Sequence, residues 1–113
     1  MLAKQYRLRK TNDFKSVFKK GRGVQKDGVL VRVKPAEKSQ PRIGIIVSKK
    51  VAKKAVARNR IRRVLAEAIR LHLGDMKKNV DVVVVALPDF KAKKTPQAAK
   101  TLYDLFKQTS LLK

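Results

Sequence analysis

Residues 55–70 read AVARNRIRRVLAEAIR, with Arg58, Arg60, Arg62 and Arg63 crowded around Asn59 and no acid before Glu67. Guanidinium groups do one kind of chemistry well: their planar forks take two oxygens of a phosphate or carboxylate at once. A solvated helix face would mix signs through i,i+4 acid–base pairs, and here only Glu67 stands one such step from Arg63. No acidic residue lies between Glu37 and Glu67, yet Lys38, Arg42, Lys49, Lys50, Lys53 and Lys54 precede the arginines. On a helix Asn59, Arg63 and Arg70 project opposite the apolar stripe, with Arg58 and Arg62 along one border. The lysines stand just before the helix start, where backbone N–H groups favour an anion. Such uncompensated charge calls for phosphate.

The other candidates are fewer. Phe14 and Phe18 lie one turn apart, the spacing of a core pair or of a platform on which unpaired bases of any sequence stack. His72, the only histidine, has no carboxylate companion within its helix and reads as a packed or surface side chain rather than a base. Capping and turn roles account for Asp13 and Asp27 before a hydrated metal does, and Lys91, Lys93 and Lys94 read as a generic basic loop. No Walker A loop, zinc spacing or nucleophile constellation is present. Residues 21–23, GRG, are too short for a GxxG clamp, and there is no aromatic RRM motif. The inventory is one of binding, with no catalytic set and no metal site.

These residues need elements to hold them. Residues 2–10 are basic, with Tyr6 and Leu8 as anchors onto the fold. Thr11 or Asn12 can cap a short helix carrying Phe14, Val17 and Phe18, with Gly21 as its stop. Residues 29–33 alternate as a strand and residues 43–47 are β-branched apart from Gly44, which together predict an antiparallel hairpin with a long loop. Ile61, Val64, Leu65, Ala68 and His72 repeat at helical spacing, and Gly74 closes that segment. Residues 80–86 are nearly all valine, as in a strand covered on both faces. Thr95 caps a last helix with Pro96 at its first position and Leu102, Leu105, Phe106 and Thr109 as its stripe. Helix, strand, strand, helix, strand, helix in this order predicts a small α/β sandwich over a single domain, residues 1–113.

Composition bounds the partners. Thirty Lys and Arg against 8 Asp and Glu give a formal net charge of +22, which repels itself in the compact state. A polyanion that absorbs it comes first, ahead of an anionic membrane or a host-defence role. Without cysteine there is neither a disulfide framework nor a thiolate metal site. The N-terminus lacks the apolar run of a signal peptide, no stretch reaches transmembrane length, and a reduced, cytoplasmic compartment is the expectation, with no membrane and no small-molecule substrate.

The run RIGIIVSKKVAKKAVARNRIRRVLAEAIR resembles the signature of the bacterial ribonuclease P protein subunit: a strand, a Ser-Lys-Lys turn, then a helix bearing Arg-Asn-Arg and a further basic pair. RLRKTNDFKSVFKKGR upstream is similar to that family's first helix, and the valine strand and closing helix also fit, so the resemblance covers almost the whole chain. It implies an α+β fold of α-β-β-β-α-β-α type, ribosomal-protein-like, with one central sheet and a left-handed crossover around the basic helix. The additional strand falls to residues 24–26. It also implies a function: the subunit of a ribonucleoprotein whose RNA holds the active site and Mg²⁺ and removes the 5′ leader of precursor tRNA. Lys49, Lys50, Lys53, Lys54, Arg58, Asn59, Arg60, Arg62 and Arg63 are then catalytic-RNA contacts. Phe14, Phe18, Arg9 and Ser48 are leader contacts. Family relatives usually carry an aromatic in the first long strand, and VLVRV has none. The alternative of another class is a ribosomal or other structural RNA-binding protein. A helix-turn-helix DNA binder fits less well, lacking a paired helix at a short turn.

Overall fold

The structure is a computed structural model that describes residues 2–37, 39–90 and 94–112, so Lys38, Lys91 and Lys93 lie outside the described residues. Three helices, α1 (Thr11–Lys20), α2 (Ala55–Arg70) and α3 (Thr95–Gln108), surround strands β1 (Arg22–Lys26), β2 (Val29–Pro35), β3 (Arg42–Val47) and β4 (Val80–Ala86). The order is α-β-β-β-α-β-α, as the resemblance implies. Short 3₁₀ turns at Lys4–Tyr6 and Leu73–Asp75 complete it.

The strands lie in the order β1-β2-β4-β3. The expected hairpin of β2 with β3 is therefore wrong: β4 stands between them, antiparallel to β2 and parallel to β3. Its composition explains the insertion. Val82, Val83 and Val84 are fully buried, and only a central strand with both faces covered buries consecutive valines. The true hairpin is β1 with β2, closed by Asp27 (φ 51°) and Gly28 (φ 79°), two left-handed residues in the Asp-Gly pattern that fits the strand twist. β1 itself, RGVQK, has only Val24 partly buried, so no hydrophobic alternation announces it.

Helices α2 and α3 cover one face, where Leu65, Ile69, Leu102, Leu105 and Phe106 pack on Val29, Val31, Ile43, Val82 and Val84. Helix α1 covers the other, where Val17 and Leu8 pack on Val83 with Phe14, Ile46 and Val85. The caps begin one residue earlier than expected: Lys10 and Lys94, both extended, occupy the N-cap positions, and neither Thr11 nor Thr95 caps through its side chain. Asp13 turns to Arg42 (3.4 Å). Gly21 ends α1 as expected. His72 is packed between α2 and α3, its Nε2 2.9 Å from the Ala99 carbonyl and its ring about 6 Å from those of Tyr103 and Phe106.

Candidate nucleic-acid interface

The basic surface begins where β3 ends. Ser48 is exposed, and its carbonyl accepts the Val51 N–H (3.1 Å), starting the turn that carries the exposed Lys49 and Lys50 toward Lys53 and Lys54. Arg58 does not simply face solvent. Its Nη1 donates to the carbonyls of Ala52 (3.1 Å) and Lys53 (2.7 Å), so it ties the lysine loop to the first turn of α2. Asn59 has a positioning role as well, accepting from Arg62 Nη1 at 2.7 Å. Arg60 and Arg63 are exposed.

The expected pairing of Glu67 with Arg63 is not what forms. Glu67 takes Arg70, three residues on, with Nη2 2.6 Å and Nε 3.0 Å from Oε1. The Arg70 guanidinium holds the Glu67 carboxyl below its usual range and is itself raised by it. That pairing draws the nearest acid toward the C-terminal end of the helix. None of the ion pairs among the described residues involves Arg58, Arg60, Arg62, Arg63 or the four lysines. Val56, Asn59, Arg62 and Arg63 line a shallow hollow of about 410 Å³ on the outer side.

On the opposite face of the sheet the two phenylalanines part company. Phe14 is partly buried against Leu8, Val17 and Val83, and its ring rests on Gly44, where an added Cβ would come within 2.3 Å of two ring atoms. Phe18 is 38% exposed. Arg32, on β2, brackets it: the guanidinium lies 5.8 Å from the Phe18 ring centroid, and Nη2 donates to the carbonyls of Phe18 (2.7 Å) and Gly21 (2.9 Å). Those are last-turn carbonyls of α1, which a cation satisfies well. Lys34 Nζ reaches Ser16 Oγ at 2.8 Å. The strand without an aromatic thus offers two cations toward α1. Arg32 and Lys34 were absent from the sequence-based set, although the alternation of VLVRVK puts both opposite Val29, Val31 and Val33. Arg9 is exposed and shares a cavity with Phe14 and Arg62.

Fold and surface together define a small, strongly basic α+β protein whose crossover helix, between parallel β3 and β4, presents Arg58, Arg60, Arg62 and Arg63 without acidic partners among the described residues. Comparison with known proteins makes the class specific. The family model described as Ribonuclease P matches residues 2–110, and the chain belongs to that family. It is similar to the ribonuclease P protein component of Exiguobacterium sibiricum, 32% identical over 113 residues covering 99% of this chain and 97% of the relative. That of Macrococcus caseolyticus is 36% identical over 107 residues, covering 94% and 91%. Among solved structures, the RNase P protein of Staphylococcus aureus superposes with a TM-score of 0.85 at 31% identity, covering 96% of this chain and 98% of that one. The Thermotoga maritima RNase P protein gives 0.76 at 28% identity, covering 90% and 96%.

Proposed function

We propose that this chain is the protein subunit of a ribonuclease P ribonucleoprotein, acting in the cytoplasm on precursor tRNA. The observation that carries the reading is the acid-free run of exposed cations on the loop before α2 and its first turns, on a chain of this family. Lys49, Lys50, Lys53, Lys54, Arg60 and Arg63 engage phosphates of the catalytic RNA directly. Arg58 and Asn59 contribute mainly by holding the loop and Arg62 in place. The cleft under α1, with Phe18 open to solvent and Arg32 beside it, takes the single-stranded 5′ leader, Phe14 backing it from below. Arg9 and Ser48 flank the path.

The cut itself belongs to the RNA subunit, and Mg²⁺ with it. No group of three or more His, Cys, Asp or Glu that could hold a metal occurs among the described residues. The protein's part is binding, orientation and the reduction of repulsion between two polyanions, which favours productive Mg²⁺ occupancy at the RNA. Cleavage of precursor tRNA by the RNA subunit, with and without this protein at low Mg²⁺, tests the proposal. Acceleration with leader-bearing precursor is expected. No effect on cleavage, with RNA binding intact, would return the chain to the class of structural RNA-binding proteins.

A further inference from the structure

At β1 the sheet has an outer margin that neither the basic helix nor the cleft under α1 uses. Its hydrogen-bonding direction follows from the turn. Lys26 and Val29 close a two-residue hairpin and so exchange main-chain bonds, and bonded pairs recur at Val24 with Val31 and at Arg22 with Val33. The far side of β2 agrees. The Leu87 N–H donates to the Gly28 carbonyl and the Ala36 N–H to the Asn79 carbonyl, both at 2.8 Å, so even-numbered positions there turn toward β4 and odd-numbered ones toward β1. Gly23 and Gln25 therefore aim their N–H and C=O groups away from the sheet. Both residues are exposed, and among the described residues no hydrogen bond outside the sheet reaches either main chain.

This edge is held in place. Val24 packs against the core under α2 and α3. Arg22 Nη2 donates to the Thr109 carbonyl at the end of α3 (3.1 Å), and Lys26 Nζ to Asp104 Oδ2 on that helix (2.6 Å). A strand anchored on both sides of Val24 presents its outward donors and acceptors already extended, with little left to order on pairing.

Charge selects what can pair with it. No acid lies between Asp13 and Asp27, a stretch holding Lys15, Lys19, Lys20, Arg22 and Lys26. Asp104 matches Lys26, and none of the ion pairs among the described residues involves Lys19, Lys20 or Arg22. A second copy is a poor occupant. Antiparallel pairing of Gly23 with its counterpart's Gln25 would set Arg22 against Lys26 twice, and like charges directly opposite destabilise a sheet. Two chains of net charge +22 also repel. Phosphate oxygens accept hydrogen bonds but donate none, so they would leave the two carbonyls unmet. An extended acidic peptide meets both needs, its main chain filling the edge and its carboxylates facing the cations. We infer that β1 is a docking edge for an extended, acidic segment of a partner protein, which adds as a fifth strand beside Gly23 and Gln25.

The test uses the full-length protein and short blocked peptides that alternate glutamate with valine, lysine with valine, or glutamate with proline. Amide NMR and hydrogen exchange at Gly23 and Gln25 report the pairing. The glutamate–valine peptide should shift and protect both amides in one saturable process, and the other two should not. Equal effects from the glutamate–proline peptide, which carries the charge but cannot complete a ladder, would overturn the docking edge, as would no response at Gly23 and Gln25.

Gln25→Pro removes an outward N–H and no ladder bond. It should abolish the peptide response while the β2 amides and precursor cleavage stay as in the wild type. If that variant unfolds, Lys19→Glu with Lys20→Glu, both exposed, should weaken the glutamate–valine peptide about fivefold at low salt, and unchanged affinity would overturn the proposal. With the catalytic RNA bound, Gly23 and Gln25 should remain open to the peptide. Protection of both amides by RNA alone would make the edge an RNA contact and would sink the peptide site. Because peptide pairing is read on the free chain, its failure is distinct from a failure of the ribonuclease P reading.

Discussion

The two phenylalanines of α1 give the sharpest test of the leader cleft, because the structure assigns them unequal work. Burying a whole Phe side chain stabilises by about 1.5–3 kcal/mol. Phe18 keeps 38% of its surface exposed and sits at the rim, so Phe18→Ala forfeits only about 1–2 kcal/mol and leaves no closed cavity. Phe14 packs on Leu8, Val17 and Val83, and Phe14→Ala should cost about 3 kcal/mol, the lower end for a core ring because Phe14 is only partly buried. Base stacking runs the other way. A base on an exposed ring is worth about 1–3 kcal/mol, so Phe18→Ala should weaken leader-bearing precursor by roughly tenfold or more. Mature tRNA has no leader, and its binding should barely change. The assay measures both tRNA forms against wild-type and variant holoenzymes, alongside thermal melts of the free proteins. Equal weakening of both tRNA forms, or a melt as low for Phe18→Ala as for Phe14→Ala, would refute the reasoning.

If the basic surface meets some 6–10 phosphates, RNA affinity should fall about 10³–10⁵-fold between roughly 50 and 200 mM salt, and a flat salt titration would contradict it. Arg58→Ala with Arg60→Ala should weaken assembly with the catalytic RNA, at about 1.5–3 kcal/mol for each lost charged hydrogen bond. Hydrogen exchange should separate the two: Arg58→Ala alone should speed it in residues 49–54, because Arg58 holds the Ala52 and Lys53 carbonyls, and Arg60→Ala should not. Asp81, 4% exposed, takes Arg42 through both oxygens at 2.9 and 2.8 Å, so Asp81→Ala should cost about 3 kcal/mol in a denaturant titration by leaving Arg42 only its longer contact with Asp13. Lys26 and Arg70 hold the Asp104 and Glu67 carboxyls below their ordinary values of 3.8 and 4.5. Their stabilisation is thus complete above that range and lost as pH falls through the lowered values, and Asp104→Asn should flatten the acid limb of the stability profile.

What the sequence determined by itself was whatever is local. The apolar stripes of α2 and α3 are periodic and the valine run of β4 is continuous, and both patterns are properties of neighbours along the chain. The basic motif was legible for the same reason, since Arg58, Asn59, Arg60, Arg62 and Arg63 are nearly consecutive and a missing acid can be counted. Tertiary structure decided what depends on distant partners. It inserted β4 between β2 and β3, because a strand of valines gains most where both its faces are covered. It also showed that Arg58 holds the loop through the Ala52 and Lys53 carbonyls and that Asn59 accepts from Arg62, a matter of rotamer and reach that spacing does not encode. Arg32 became the partner of Phe18 only when β2 was laid under α1. The cavity shared by Arg9, Phe14 and Arg62, assembled from the N-terminal segment, α1, β3 and α2, exists only once those four pieces pack, because its walls meet through space and nowhere along the chain.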